Sequence, residues 1–161
     1  MELGYIGVAE QAKMVKKALA SAWPGVKFSV RSKSYSGGAS ISIDWTDGPS
    51  TSAVDKVAKL YEGADFDGMQ DLKTRKDTVL PSGLCARFLG DFVFTSRSIT
   101  NFDALAKDAE AIIRARCHVE GNRFGNDWVD DLAHGMVRAL NFDKGETLES
   151  TFRRVVLREE N

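Results

Sequence analysis

PGVKFSVRSKSYSGGASISIDWTDGP, Pro24 to Pro49, decides the fold of this chain: two alternating runs flank a Ser/Gly segment, the pattern of a β-hairpin with one apolar and one basic face. Strand side chains alternate with a period of two, so Val26, Phe28 and Val30 share one side, as do Ile41, Ile43 and Trp45. Lys27, Arg31 and Lys33 then fall on the other side. The intervening Ser34-Tyr35-Ser36-Gly37-Gly38 reads as a loop too long for a two-residue turn, rich in residues that accept unusual dihedrals. Asp47-Gly48-Pro49 makes the next turn.

Outward from the hairpin, helices bracket it. Ala12, Val15, Leu19 and Trp23 recur at helical spacing over Val8 to Trp23, with Lys13, Lys16 and Lys17 on the wet side and Pro24 as the stop. After Pro49, Ser50 or Thr51 caps a second helix with Val54, Val57, Ala58 and Tyr61 on one face, ended by Glu62-Gly63. The opening unit is therefore α-β-β-α. Residues 62–83 hold Gly63, Gly68, Pro81 and Gly83 with weak periodicity, which predicts a long connection with one short edge strand. From Leu84 to Phe94, Leu84, Ala86 and Phe88, then Phe92 and Phe94, alternate on one side, as a long strand or a hairpin broken at Gly90-Asp91. Thr100 caps a helix to about Cys117 with Phe102, Leu105, Ala109, Ile112 and Ile113 inward, and Asn126 caps another with Trp128, Leu132, Met136 and Leu140 inward. Thr147 to Arg158 is a last helix, unless Val155-Val156-Leu157 forms a strand. The expected fold class is α+β: a small antiparallel sheet with helices packed on one face, in a single domain over residues 1–161, made of a helix-hairpin-helix unit over 1–75 and a strand plus mainly helical half over 76–161.

Composition sets the limits. A chain of 161 residues hides roughly two-thirds of its unfolded surface, enough for a core without a metal staple. With 43% hydrophobic and 28% charged residues it is ordinary globular material, which excludes long disorder. No apolar run reaches the length of a membrane span, and Met1-Glu2 opens without a secretory signal, so a cytoplasmic protein with no membrane partner is expected. Cys85 and Cys117, widely separated inside regular elements, are expected as free thiols. A net charge of −1 argues against binding nucleic acid by bulk electrostatics. The distribution is uneven, since residues 1–34 carry six basic side chains against Glu2 and Glu10, while acids gather at Glu62, Asp65, Asp67 and Asp71 and again at Asp127, Asp130 and Asp131. Such a dipolar surface suits a protein partner as well as a nucleic acid.

Sites of chemistry are weak by comparison. Asp65, Asp67 and Asp71 around Gly68 fail as an EF-hand, which needs glycine at its sixth position and glutamate at its twelfth, where Lys76 stands. Cys117-His118 has no second pair to complete a zinc site, and the acids of Asp127, Asp130 and Asp131 suit a helix start without any ligand. No nucleophile elbow, P-loop or dinucleotide fingerprint is present, and His134 four residues after Asp130 fits a local surface hydrogen bond. Trp23, Trp45 and Trp128 read as core residues. No catalytic residue, metal ligand or cofactor is therefore expected. The candidate binding residues are Lys27, Arg31, Lys33 and Tyr35: the cations with Ser29 and Ser32 could track phosphates, and an aromatic beside Gly37-Gly38 has no obvious core to enter. Set against this, a polar strand face is what any half-solvated antiparallel sheet presents.

Val26-Lys27-Phe28-Ser29-Val30-Arg31-Ser32, with Tyr35, Gly37-Gly38, Ile41 and Trp45-Thr46-Asp47-Gly48-Pro49, resembles a domain class associated with the large polyvalent proteins of bacteriophages and conjugative elements. Phe66-Asp67-Gly68-Met69 is similar too, and the likeness covers roughly residues 5–75. The resemblance implies a helix-hairpin-helix unit and a setting, proteins thought to enter the cell with mobile DNA and oppose host defence, but no catalytic residues. A small protein of this kind is expected to be non-enzymatic and to bind and block a host defence protein or nucleoprotein complex, as anti-restriction and anti-CRISPR inhibitors do. The alternative is an accessory protein that binds incoming DNA, or RNA, directly.

Overall fold

The computed structural model describes residues 3–117, 127–142 and 145–157. The chain forms two compact units, one of Met1–Trp45 with Ser52–Ser96 and the other of Thr46–Thr51 with Arg97–Asn161. The class is α+β, as the alternation of periods implies.

In the first unit a short strand the sequence reading did not include, β1 (Gly4–Ile6), precedes helix α1 (Val8–Ala22). Gln11, Ala12, Val15 and Leu19 make the buried stripe of α1, Lys13, Lys16 and Lys17 are exposed, and Trp23 N closes on Leu19 O before Pro24. Strands β2 (Ser29–Tyr35) and β3 (Gly38–Thr46) pair antiparallel with Val30 opposite Ile43, Ser32 opposite Ile41 and Ser34 opposite Ala39. The connection is a two-residue turn, Ser36-Gly37, with Tyr35 opposite Gly38, shorter than the five-residue loop the Ser/Gly content suggested. Phe28 and Val26 join the core from the approach to the strand, and Lys27 also lies ahead of β2 and not within it.

Helix α2 (Thr51–Ala58) buries Val54 and Ala58, and a 3-10 turn follows at Lys59–Tyr61. Residues 62–83 hold three short strands where one was expected: β4 (Ala64–Asp67) and β5 (Leu72–Arg75) form a hairpin, and β6 (Thr78–Val79) edges another sheet. Strand β5 is exposed along its whole length, so no alternation marked it. Neither a long strand nor a hairpin spans Leu84 to Phe94, because β7 (Cys85–Phe88) pairs with β1 and β6, whereas β8 (Phe92–Ser98) pairs with β3. Asp91 N donates to Ala39 O at 2.7 Å and Asp47 N to Ser98 O at 2.8 Å, so β8 runs parallel to β3. Helix α1 serves two small cores. Ala12, Val15 and Leu19 pack with Phe28, Ile41, Ile43, Trp45, Val54 and Val93, while Met14 packs with Ile6, Leu80, Ala86 and Phe88. Val15 and Leu19 are fully buried, each worth about 1.5–3 kcal/mol of transfer free energy.

The second unit is helical: α3 (Phe102–Cys117), α4 (Asp127–Ala139) and α5 (Leu148–Phe152), which runs into a π-helical turn at Arg153–Leu157. The Val155-Val156-Leu157 strand is thus excluded, and Leu148, Phe152 and Val156 point inward. Thr147 Oγ1 accepts from Ser150 N at 3.1 Å and Ser150 Oγ from Thr147 N at 3.0 Å, a reciprocal cap on α5. At the start of α3, Thr100 is held by another residue: its N–H and hydroxyl both donate to the Asp47 carboxylate, at 2.8 and 2.9 Å. The buried stripe of α4 is Val129, Ala133 and Val137 with Leu140, one position on from the expected Trp128, Leu132 and Met136. Trp128 is 41% exposed, because small Ala109 and Ala133 share the α3–α4 core and let the helix backbones approach where Trp128 would hold them apart. Cys85 is a free thiol; His118 and Asn126 and the Cys117 side chain lie outside the described residues.

Candidate functional site

One-sided burial of the β2-β3-β8 sheet leaves its other face open. By alternation Arg31, Lys33 and Tyr35 of β2 project from it, and Ser40, Ser42 and Asp44 of β3 lie between them and β8. Arg31 is 72% exposed at its side chain and donates to Asp44 Oδ2 at 2.6 Å. An ion pair this wet is worth about 0–1 kcal/mol, so a ligand anion can replace the Asp44 carboxylate at little cost. Lys33 and Lys27 are exposed and have no ion-pair partner among the described residues. Tyr35 is 48% exposed. Three of the four residues expected to form a contact surface therefore share a face, and Lys27 stands just before it.

That face also holds two aromatics, Phe92 and Phe94, which the alternation puts on one side without saying which. Val93 is the buried member of β8, which turns Phe92 and Phe94 outward; their rings lie 6.4 Å apart and Phe94 is 59% exposed. Their period-two spacing fits either face equally. Only the burial of Val93 between them fixes the phase, and that is a tertiary fact.

A buried polar junction holds the tip of this sheet. Gly90 N donates to Gln11 Oε1 at 2.7 Å, and Gln11 Nε2 donates to Gly90 O at 3.0 Å and Tyr61 O at 2.5 Å. Gly63 N also reaches Gly90 O and Ala64 N reaches Asp91 O. The Asp91 side chain is 0% exposed; Oδ2 accepts from Lys73 Nζ at 3.0 Å, and Oδ1 lies 3.7 Å from Arg75 Nη1 without a hydrogen bond among the described residues. Lys73 Nζ donates to Gly37 O as well, at 2.9 Å, so one ammonium ties Asp91 to the β2-β3 turn. Gly38 is required here by space, since a Cβ would stand 1.8 Å from Asp91 Oδ2. The junction explains why Gly37-Gly38 occurs in a tight turn: the second glycine admits a carboxylate.

Elsewhere, His134 Nδ1 contacts Asp130 O at 2.7 Å and Asp130 Oδ1 at 3.0 Å, the local arrangement its spacing predicts. Arg87 clamps Asp77 through Nε at 2.6 Å and Nη2 at 2.8 Å, and its hydrogen bond holds the Asp77 carboxyl below the ordinary carboxylate range. Among the described residues, no three His, Cys, Asp or Glu converge as metal ligands, and no helix is long and apolar enough to cross a membrane.

The model of one protein family, large polyvalent protein associated domain 29, matches residues 6–100, more than half of the chain. The chain belongs to this family. Membership ties it to phages and mobile elements, and the matched segment extends past residue 75 to take in β7, the Asp91 junction and β8. The open sheet face lies inside it and α3 to α5 lie beyond it. No curated protein and no solved structure matches the chain.

Proposed function

We propose that this family member is a non-enzymatic binding protein that acts in the host cytoplasm against a defence nucleoprotein complex, with the open face of the β2-β3-β8 sheet as its contact surface. The observation that carries the reading is the exposure of Arg31, Lys33 and Tyr35 on one face of a strand whose other face is fixed by the core. The counter-defence role rests on the family's setting; the sheet face supplies the means of contact. The Arg31→Ala, Lys33→Ala double variant tests it. These side chains touch no core, so the change in stability should stay within about 0.5 kcal/mol, while retention of the partner complex from a nuclease-treated bacterial lysate should fall. Unchanged retention, or loss of folding with no binding effect, overturns the assignment.

A second reading, direct binding of a single-stranded nucleic acid, is favoured by Phe92 and Phe94 beside the cations, since bases stack on exposed rings. Contacts from Lys27, Arg31 and Lys33 would give a salt slope of about −2, at roughly −0.7 per phosphate. Phe94→Ala would cost about 1–3 kcal/mol of oligonucleotide affinity. A protein-only interface shows neither effect.

A further inference from the structure

The second unit contains a cavity of about 270 Å³ lined by Thr51, Arg97, Ile99, Phe102 and Arg138. Two arginines, Arg97 and Arg138, line it, and neither has a carboxylate ion-pair partner among the described residues. Arg97 is held by backbone: Nε donates to Asp47 O at 3.2 Å, Nη2 to Gly48 O at 2.8 Å, and Nη1 to Arg138 O at 3.1 Å and also to Leu140 O. These carbonyls fix the group, which caps the end of α4 in turn, but they carry no net charge. Of the five N–H bonds of a guanidinium, one on Nη2 is left over. Asp47 turns its carboxylate to Thr100. Burial lowers the pKa of Arg97, with a smaller opposing effect from Asp47, as expected for a cation short of a counter-ion. Arg138 is exposed, with its guanidinium 5.5 Å above the Phe102 ring. Thr51 also lines the cavity.

We propose that this cavity binds a phosphoryl group, as free phosphate or a small phosphate monoester. Two guanidiniums match the charge of about −1.5 to −2 that a phosphate monoester carries at neutral pH, and a single carboxylate would leave one of them unbalanced. Arginine forks suit phosphate oxygens, and Arg97 is already immobilised, so little ordering remains to oppose binding. The volume falls just below the ~300 Å³ at which drug-sized pockets begin, so the occupant is small. This goes beyond the sheet-face reading and does not depend on it.

The test is titration of the full chain with sodium phosphate and, separately, adenosine 5′-monophosphate, against sodium chloride at equal ionic strength. Binding is read by calorimetry and by the Arg side-chain Nε–H signals in NMR. A saturable shift of the Arg97 Nε–H signal with either phosphate, absent with chloride, is expected. Equal affinities assign free phosphate; tighter binding of the nucleotide assigns a monoester. Arg138→Gln leaves the Arg97 cage in place and should weaken binding tenfold or more, while Arg97→Lys reports whether loss of affinity tracks loss of fold. No saturable shift, a shift matched by chloride, or full affinity in Arg138→Gln overturns the proposal.

Discussion

Gln11→Glu changes one atom type at the buried junction, and its effect should depend on pH. The Oε1 acceptor for Gly90 N survives, but both donors to Tyr61 O and Gly90 O are lost. At a net ~0.5–1.5 kcal/mol per hydrogen bond, the loss is about 1–3 kcal/mol. Below about pH 4 the protonated acid restores one donor, so the variant sits at the mild end of that range. Above it, a charged carboxylate would face two carbonyl oxygens in a fully buried site, so the folded state keeps the proton and the folded pKa rises above the unfolded ~4.3. The folded state then binds more protons than the unfolded one, and stability falls as pH rises from the unfolded pKa towards the folded one. Each unit of upward shift removes about 1.4 kcal/mol by neutral pH. A total near 3 kcal/mol or more at neutral pH corresponds to a Tm lowered by about 6–12 °C, at ~2–4 °C per kcal/mol for a chain of this size. Calorimetric melting of variant and parent from about pH 4 to 7 measures the difference directly. A difference that stays flat across this range, or a Tm at neutral pH within about 2 °C of the parent, would refute the clamp assigned to Gln11.

Two further substitutions separate named contacts from their surroundings. Gly38→Ala places a Cβ 1.8 Å from Asp91 Oδ2 and should expel the carboxylate from Lys73, at the lower end of the ~3–5 kcal/mol for breaking a buried pair, because Lys73 is partly wet. Gly37→Ala, which meets nothing within 4 Å, should be nearly silent in the same denaturation series. Thr147→Ala removes the acceptor for Ser150 N and should cost about 1 kcal/mol in urea unfolding, with Thr147→Ser close to the parent.

Where one face of an element is dry and the other wet, the chain announces its own geometry. Ile41, Ile43 and Trp45 fix the phase of β3 without further information, and with it the outward direction of Arg31 and Lys33. Stripe reading fails where two phases are equally apolar: α4 offers Trp128-Leu132-Met136 and Val129-Ala133-Val137, and helix approach selects the smaller set. It fails again where a strand has no dry face, as in β5. Phe92 and Phe94, two of the three aromatics on the open face, share one phase of β8, but their spacing alone does not say whether that phase is wet or dry. The junction was invisible for another reason. Gln11 sits in the buried stripe of α1 as its polar member, but Tyr61, Gly63, Lys73 and Asp91 come from separate elements, and only closure of the tertiary structure brings them to it.

The span of that junction sets a timetable for synthesis. Gln11 meets Gly90 across 79 residues, and β1 finds β7 over a similar distance. At ~5–20 residues per second, translation separates the first partner from the last by about 4–16 s. During that interval the apolar side of the β2-β3 ribbon has α1 to lean on, but the β1 strand waits for a neighbour not yet made. A ribosome stalled before Asp91 would therefore present an unfinished module to proteases, whereas one stalled just after Ser98 would carry every strand of both three-stranded sheets.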